Sequence, residues 1–301
     1  MTSLDFGPLV LGGNTFGWTS DRDESFAVLD AFIDAGGRSI DTADSYSGWI
    51  PGNSGGESET LLGEWFTSRG TRDQVVVATK VGHLKGRKGL SPTNLRVAVE
   101  DSLRRLQTDR IDLYYAHSDD ETVPQDEYVA TFDALVKEGH VREVAASNFR
   151  ADRLTSAVAT AEAQGLARFT VAQDKFNLVE RDYATDLAPT VDKLGLVQLP
   201  YSALASGFLT GKYRPGIQVD SQRAGGASAY LSDPGHVALL EALDDIAQQH
   251  GVGVSAVALA WLRQQPTVAA PIASVRTVEQ LPALVESFDL VLGDDDLARL
   301  A

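Results

Sequence analysis

The chain contains no cysteine. That excludes disulfides, a thiolate nucleophile and cysteine-ligated zinc or iron–sulfur centres. Histidine is scarce too. His83, His117, His140, His236 and His250 include no pair at the i, i+4 spacing of a helical metal site, so no metal is expected. No apolar run approaches the ~18 residues of a membrane helix, and the opening MTSLDFGPLVLGG lacks a basic stretch followed by an apolar one. A cytoplasmic protein with no membrane partner is expected.

Basic residues are the other shortage. Lys and Arg number 26 against 42 Asp and Glu, a formal net charge of −16. Such a field repels nucleic-acid phosphates and anionic lipid, so neither is an expected partner. Any anionic cofactor would need locally placed cations and backbone donors. Also missing is the glycine fingerprint of an open doubly wound sheet, which would lie between the first strand and first helix. Gly251-Val-Gly-Val-Ser-Ala resembles half of it but falls between two helical patterns, where it reads as a helix end and turn.

What is present is apolar mass and alternation. The 301 residues are 43% hydrophobic and 23% charged, enough for a large core. Short apolar runs occupy Pro8–Gly12, Arg38–Thr42, Gln74–Thr79, Ile111–Ala116, Val141–Ser147, Thr170–Gln173, Leu196–Pro200 and Val268–Ile272. Amphipathic patterns between them predict helices over Glu24–Ala35, Glu57–Ser68, Ser91–Leu106, Glu127–Lys137 and Asp152–Gln164. Further helices are expected over Asp186–Leu194, Val237–Gln249, Ser255–Gln264 and Val278–Glu286. Eight strands alternating with helices predict an α/β fold, a single (β/α)8 TIM barrel over residues 1–301 with no linker dividing it. Two connections are long, Ser45–Gly56 and Tyr213–Gly235, a length typical of functional loops.

In such a barrel, reactive groups sit where strands end, at the carboxyl-terminal face. Asp41 closes the second strand, with Tyr46 in the loop beyond; Lys80 closes the third and His117 the fourth. Singly, these residue types are ordinary caps, packing groups and rim residues. Together they make an acid site. A phenol, with a pKa near ~10, is a poor acid at neutral pH. A lysine ammonium beside it favours the phenolate and is expected to lower that pKa. Asp41 would anchor the ammonium, and His117 would hydrogen-bond a substrate carbonyl and aim it at Tyr46.

This set resembles the catalytic tetrad of the aldo-keto reductase superfamily. The likeness runs over nearly the whole chain, through Asp41-Thr-Ala-Asp-Ser-Tyr46, Arg110-Ile-Asp-Leu-Tyr-Tyr-Ala-His117, Lys137-Glu-Gly-His-Val-Arg-Glu, Ala146-Ser-Asn-Phe149 and Gln173-Asp-Lys-Phe-Asn-Leu-Val-Glu-Arg181. It implies reduction of an aldehyde or ketone with NADPH, Tyr46 being the general acid. By the same resemblance, Ser147, Asn148 and Gln173 match positions that hold the nicotinamide carboxamide, and Tyr201 the aromatic stacked on that ring. The run from Tyr201 to Tyr213, with Ser202, Leu204, Ser206 and Gly207, is similar to the strap over the pyrophosphate. Lys212 and Arg223 would supply its charge. Ser274, Arg276 and Gln280 resemble the adenosine-phosphate site. The planar fork of Arg276 suits a 2′-phosphate, hence NADPH rather than NADH. Two departures stand out: Ser274 replaces a common glycine, and Ala283 and Leu284 replace an acidic-Asn pair that reads adenine.

Trp18 and Trp49 lie on loops at the expected mouth and would either wall a ring-bearing or sugar-like substrate or cover the barrel top. His83 is expected at the rim. Asp294-Asp-Asp reads as a helix N-terminus. Two other readings compete with the reductase. One is a cofactor-sensing regulatory subunit, since the strap also resembles potassium-channel β subunits. The other is a lyase with Lys80 as Schiff-base nucleophile, which Asp41 opposes by keeping the amine charged. Substrate identity and oligomeric state stay open.

Overall fold

The computed structural model describes residues 2–220 and 224–301. Eight strands run parallel: β1 (Val10–Gly12), β2 (Ser39–Asp41), β3 (Val76–Val81), β4 (Ile111–Ala116), β5 (Val141–Ser147), β6 (Val171–Gln173), β7 (Val197–Gln198) and β8 (Ile272–Ala273). Their order is β7-β6-β5-β4-β3-β2-β1-β8, so sequential strands are neighbours throughout and β8 returns beside β1. The result is a curled eight-stranded sheet. At its free edges, the Gln198 amide donates to the Thr267 carbonyl at 2.8 Å, and the Ile272 amide to the Pro200 carbonyl at 2.9 Å.

Helices return the chain between strands: α1 (Arg22–Asp34), α2 (Glu57–Arg69), α3 (Pro92–Leu106), α4 (Gln125–Lys137) and α5 (Ala151–Ala163). After β6 come α6 (Asp182–Asp186) and α7 (Ala188–Lys193), and after β7 come α8 (Ala224–Ala229), α9 (Pro234–His250) and α10 (Val254–Arg263). Following β8 are α11 (Pro282–Val285) and α12 (Asp294–Arg299). Local chemistry sets their ends. The Ser91 hydroxyl caps α3 by accepting from the Asn94 amide at 3.3 Å, and Pro92, which has no N–H to leave unpaired, opens the first turn. Gly251 ends α9 at φ 68°, a left-handed conformation that glycine reaches without a Cβ clash.

Several boundaries differ from the sequence expectation. The segment 186–194 splits at Leu187 into α6 and α7, because the Pro189 ring cannot sit inside a continuous helix. The segment 278–286 becomes a short 3-10 turn followed by α11, which opens at Pro282. The last strand begins at Ile272 rather than Val268. Pro271 has no amide to give the ladder, and Val268 makes only an isolated bridge to Gln198. Conversely α8, in the long loop after β7, was not foreseen in a segment containing Gly225 and Gly226.

The sheet divides the core in two. Its outer face and the helices share one large apolar cluster that includes Ile40, Val77, Tyr114 and Val144. Its inner face carries a second: Val10, Ala78, Leu113, Tyr115, Ala145, Val171, Leu199 and Ile272, with Leu4 and Phe6 from the N-terminal segment. Side chains alternate faces with a period of two along a strand. The next inner-face positions towards the carboxyl ends are therefore Gly12, Lys80, His117, Ser147, Gln173, Tyr201 and Ser274. Asp41, also on this upper level, pairs in register with Ala78 and Gly12.

Candidate active site

One residue organises the upper layer. Lys80 is 1% exposed, and its ammonium meets the Asp41 carboxylate at 2.5 Å, the Thr42 carbonyl at 2.8 Å and the Tyr46 hydroxyl oxygen at 2.9 Å. All three of its donors are thereby used. Burial pulls the Lys80 pKa down, and the Asp41 charge opposes that. The other Asp41 oxygen accepts from the Gln173 side-chain amide at 2.9 Å. A carboxylate removed from water is tolerated here because both oxygens have donors.

Tyr46 accepts from Lys80, so its own proton has only a long 3.4 Å contact with Asp41. Its pKa departs from the expectation. Burial, followed by the Asp41 negative charge, pushes the phenol well above its ordinary value. In the protein's own field Tyr46 holds its proton firmly, and the cation prepares a place for the phenolate without creating it beforehand. His117 is held neutral, its pKa driven well below the usual histidine value by burial and then by the Lys80 charge. Its Nδ1 is buried with no hydrogen-bond partner among the described residues.

A hydrogen-bonded chain extends the site across β5 and β6. The Ser147 hydroxyl donates to the Gln173 carbonyl at 2.7 Å and accepts from the Asn148 side-chain amide at 2.9 Å. The Asn148 amide also donates to the His117 carbonyl at 2.9 Å, and its Oδ1 accepts from the Tyr201 hydroxyl at 2.8 Å. Asn148 sits at φ 57°. Residues outside glycine rarely hold that conformation unless the surroundings enforce it.

A pocket of about 590 Å³ opens above this layer. Asp41, Tyr46, His117, Ser147, Asn148 and Gln173 form its floor, and Trp18 and Tyr201 line it higher up. The strap contributes Ser202, Leu204, Ser206, Gly207 and Lys212; the turn after β8 contributes Ser274, Arg276 and Gln280. Lys80 lies beneath the floor. Trp49 is not part of the lining: it is 51% exposed, with its ring edge-on to Trp18 at 5.5 Å and to Tyr46 at 6.2 Å. Arg223 lies outside the described residues.

The strap is an unusual stretch of backbone. Ser202, Ala205, Ser206 and Gly207 have φ of 56°, 46°, 56° and 93°. Residues 205–207 are left-handed in succession, and the strap is closed on itself by the Ala205 amide donating to the Ser202 carbonyl and the Gly207 amide to the Leu204 carbonyl, both at 2.8 Å. Among the described residues, neither Lys212 nor Arg276 has a carboxylate within ion-pair distance, although the chain is strongly acidic. Gln280 accepts from the Arg276 backbone amide at 3.0 Å, which fixes the turn. Leu284 is buried in the core, so that position offers no polar atom to a ligand.

Sequence reasoning passed over Asn14 and Thr15, which also line the pocket. The Ser274 hydroxyl donates to Asn14 Oδ1 at 2.7 Å, linking the ends of β1 and β8. The strand-end rule that points to Asp41 points equally to these residues, which follow β1.

A half-buried phenol touches a buried ammonium and carboxylate beside a neutral imidazole, at the base of a pocket lined by two cations. Comparison with known proteins agrees. The profile of the aldo/keto reductase family matches residues 8–301. The oxidoreductase YrpG of Bacillus subtilis is 34% identical, covering 99% of this chain and 92% of that protein. The protein Tas of Escherichia coli is 31% identical over 99% of this chain and 94% of its own length. Norsolorinic acid reductase stcV of Emericella nidulans is 32% identical over 100% of this chain and 79% of its own. The chain belongs to the aldo/keto reductase family. Its activity is therefore that of an oxidoreductase on carbonyl compounds, of a kind that generally uses a nicotinamide cofactor.

Proposed function

We propose that this chain is a cytoplasmic NADPH-dependent reductase of aldehydes or ketones, one closed (β/α)8 barrel domain over residues 1–301 with Tyr46 as its general acid. The observation that carries the reading is the placement of the Lys80 ammonium between Asp41 Oδ2 at 2.5 Å and Tyr46 Oη at 2.9 Å on the pocket floor. The hydrogen bonds from β7 to the approach of β8 support closure of the sheet.

Bound cofactor would supply the hydride. Ser147, Asn148, Gln173 and Tyr201 would hold its reactive end, and the strap from Ser202 to Lys212 its pyrophosphate. Arg223 would join Lys212 at the pyrophosphate, and Arg276 would face the 2′-phosphate, with Ser274 and Gln280 beside it. The chemistry of this donor set supports the assignment: Lys212 and Arg276 line the pocket and, among the described residues, lack carboxylate partners in a protein of charge −16.

The residues divide the work. His117 positions the carbonyl oxygen. A buried N–H without a partner costs more than a bare lone pair, so the orphaned Nδ1 favours the tautomer protonated at Nε2, which then donates to substrate. As hydride reaches carbon, charge builds on the carbonyl oxygen and the Tyr46 proton passes to it. The resulting phenolate is stabilised by Lys80, whose charge Asp41 sustains. The ground-state phenol has a high pKa, so the stabilisation is exerted as charge develops, when it lowers the barrier.

An aromatic substrate suits the pocket better than an aliphatic one, because the rings of Trp18, Tyr46, His117 and Tyr201 line it. The test is a panel of aryl and alkyl aldehydes, ketones and aldoses with NADPH and NADH, followed at the nicotinamide absorbance. The proposal expects turnover with NADPH. Retention of cofactor with no turnover on any carbonyl would overturn it.

A further inference from the structure

We propose that His83 is a positioning residue for His117, its ring serving in place of the hydrogen bond that would otherwise fix the imidazole. This rests on the reading of His117 as the donor to the substrate carbonyl. A histidine that works through one ring nitrogen is ordinarily oriented by a hydrogen bond to the other. His117 has no such bond, since its Nδ1 is buried without a partner among the described residues.

What it has is a stacked ring. The His83 and His117 imidazoles lie face to face, with centroids 4.0 Å apart and planes 16° from parallel. Tyr46 meets the His117 ring edge-on at 6.3 Å. The two contacts confine rotation about the ring bond from different sides. His83 is itself held, its Nε2 2.8 Å from the Ser118 hydroxyl.

The ladder explains the pairing. Val81 and Ala116 are in register between β3 and β4, and the His117 amide donates to the Val81 carbonyl at 2.9 Å. Two residues beyond Val81, His83 therefore arrives opposite the residue after His117. Only one ring of such a stack carries a proton readily, because a second imidazolium would be repelled at contact distance. His83 is exposed, whereas His117 is half-buried and its pKa is driven further down, so an added proton goes to His83. The charged and titratable groups facing the pair are Lys80 beneath the floor, Tyr46 on it and Lys88 beside His83. His83 thus also keeps His117 neutral as the solution acidifies.

The test uses the full chain with His83→Ala, which removes the stack, and His83→Phe, which restores a flat ring that cannot titrate. Long-range ¹H–¹⁵N spectra of labelled histidine report the tautomer and pKa of His117 directly. Wild type and His83→Phe should show one neutral tautomer protonated at Nε2. His83→Ala should show mixed tautomers. With 4-nitrobenzaldehyde and NADPH, His83→Ala should lose about tenfold in kcat, and His83→Phe should recover to within about threefold. NADPH quenching of tryptophan fluorescence should be the same in all three. His117 spectra unchanged by His83→Ala, or activity that His83→Phe does not restore, would overturn the assignment. Should wild type reduce no carbonyl at all, the reading of the site fails, whereas the spectra still decide whether His83 fixes His117.

Discussion

The two ends of the pocket are built on different principles. At the floor, most polar groups sit at or just past strand ends and are satisfied by one another, the His117 Nδ1 excepted. Lys80 spends all its donors, and Asp41, Gln173, Ser147, Asn148 and Tyr201 form a continuous chain. At the strap and the turn after β8, the groups are mounted on loops, with left-handed backbone in the strap and two cations lacking carboxylates among the described residues. A preorganised floor loses nothing to rearrangement when charge develops. Under-satisfied cations keep their capacity for a ligand that brings its own anions. Chemistry and affinity should therefore be separable by mutation.

The sharpest break of that comparison is Tyr46→Phe. It deletes one oxygen at the floor and should reduce kcat about 10³-fold while NADPH still quenches tryptophan fluorescence. Unchanged turnover would remove Tyr46 from the reaction.

A second floor-side test uses Asp44, which is 1% exposed, with neither carboxylate oxygen hydrogen-bonded; the Gly82 amide is close but out of bonding geometry. Burial, then the Glu59 charge, raises its pKa to about 7 against the pull of Arg105 and Arg87. Between about pH 4 and 7 the folded state holds a proton that the unfolded chain has released. Stability from this group is thus full at low pH and declines with rising pH, by roughly 1.4 kcal/mol per unit. Asp44→Asn removes the titration. Its urea-unfolding free energy should match wild type within about 1 kcal/mol at pH 5 and exceed it by about 2–3 kcal/mol at pH 8. Equal stabilities at pH 8 would mean Asp44 is not held protonated.

Arg276→Ala acts at the other end. Loss of a charge-assisted pair costs about 1.5–3 kcal/mol. KM for NADPH should rise about 10- to 100-fold with kcat held, and KM for NADH should barely move. Equal effects on the two cofactors would place Arg276 away from the 2′-phosphate.

The same division governs what the sequence makes legible. Strand-borne features follow from periodicity: a run such as Val76–Val81 declares its strand, and residues two beyond an inner apolar position become site residues. Asp41, Lys80 and His117 follow from their places at strand ends. The loops obey no period. The left-handed turn at Ser202 carries no glycine to announce it, α8 lies in a loop-like sequence, and the stack of His83 on His117 depends on register between strands. Short elements near proline shifted for a local reason, as at Pro189 and Pro271. The phenol's pKa was misjudged because proximity to a cation is visible in a motif, whereas burial is a property of the assembled core.

The smallest expected effect probes whether strain at the strap is a cost borne for binding. Ser206 is exposed at φ 56° and ψ 19°, so Ser206→Gly removes no buried contact while relieving a conformation glycine adopts freely. Against that relief stands the greater entropy of glycine in the unfolded chain, about 0.5–1 kcal/mol. The two nearly cancel, leaving folding stability within about 0.5 kcal/mol of wild type. Binding should respond differently. A glycine loosens the left-handed turn that shapes the strap, so the Kd for NADPH should weaken about two- to fivefold, with kcat unchanged at saturation. If cofactor affinity held while stability rose, the left-handed backbone would be an incidental consequence of loop closure, and the contrast between a preorganised floor and a ligand-organised strap would have to be redrawn.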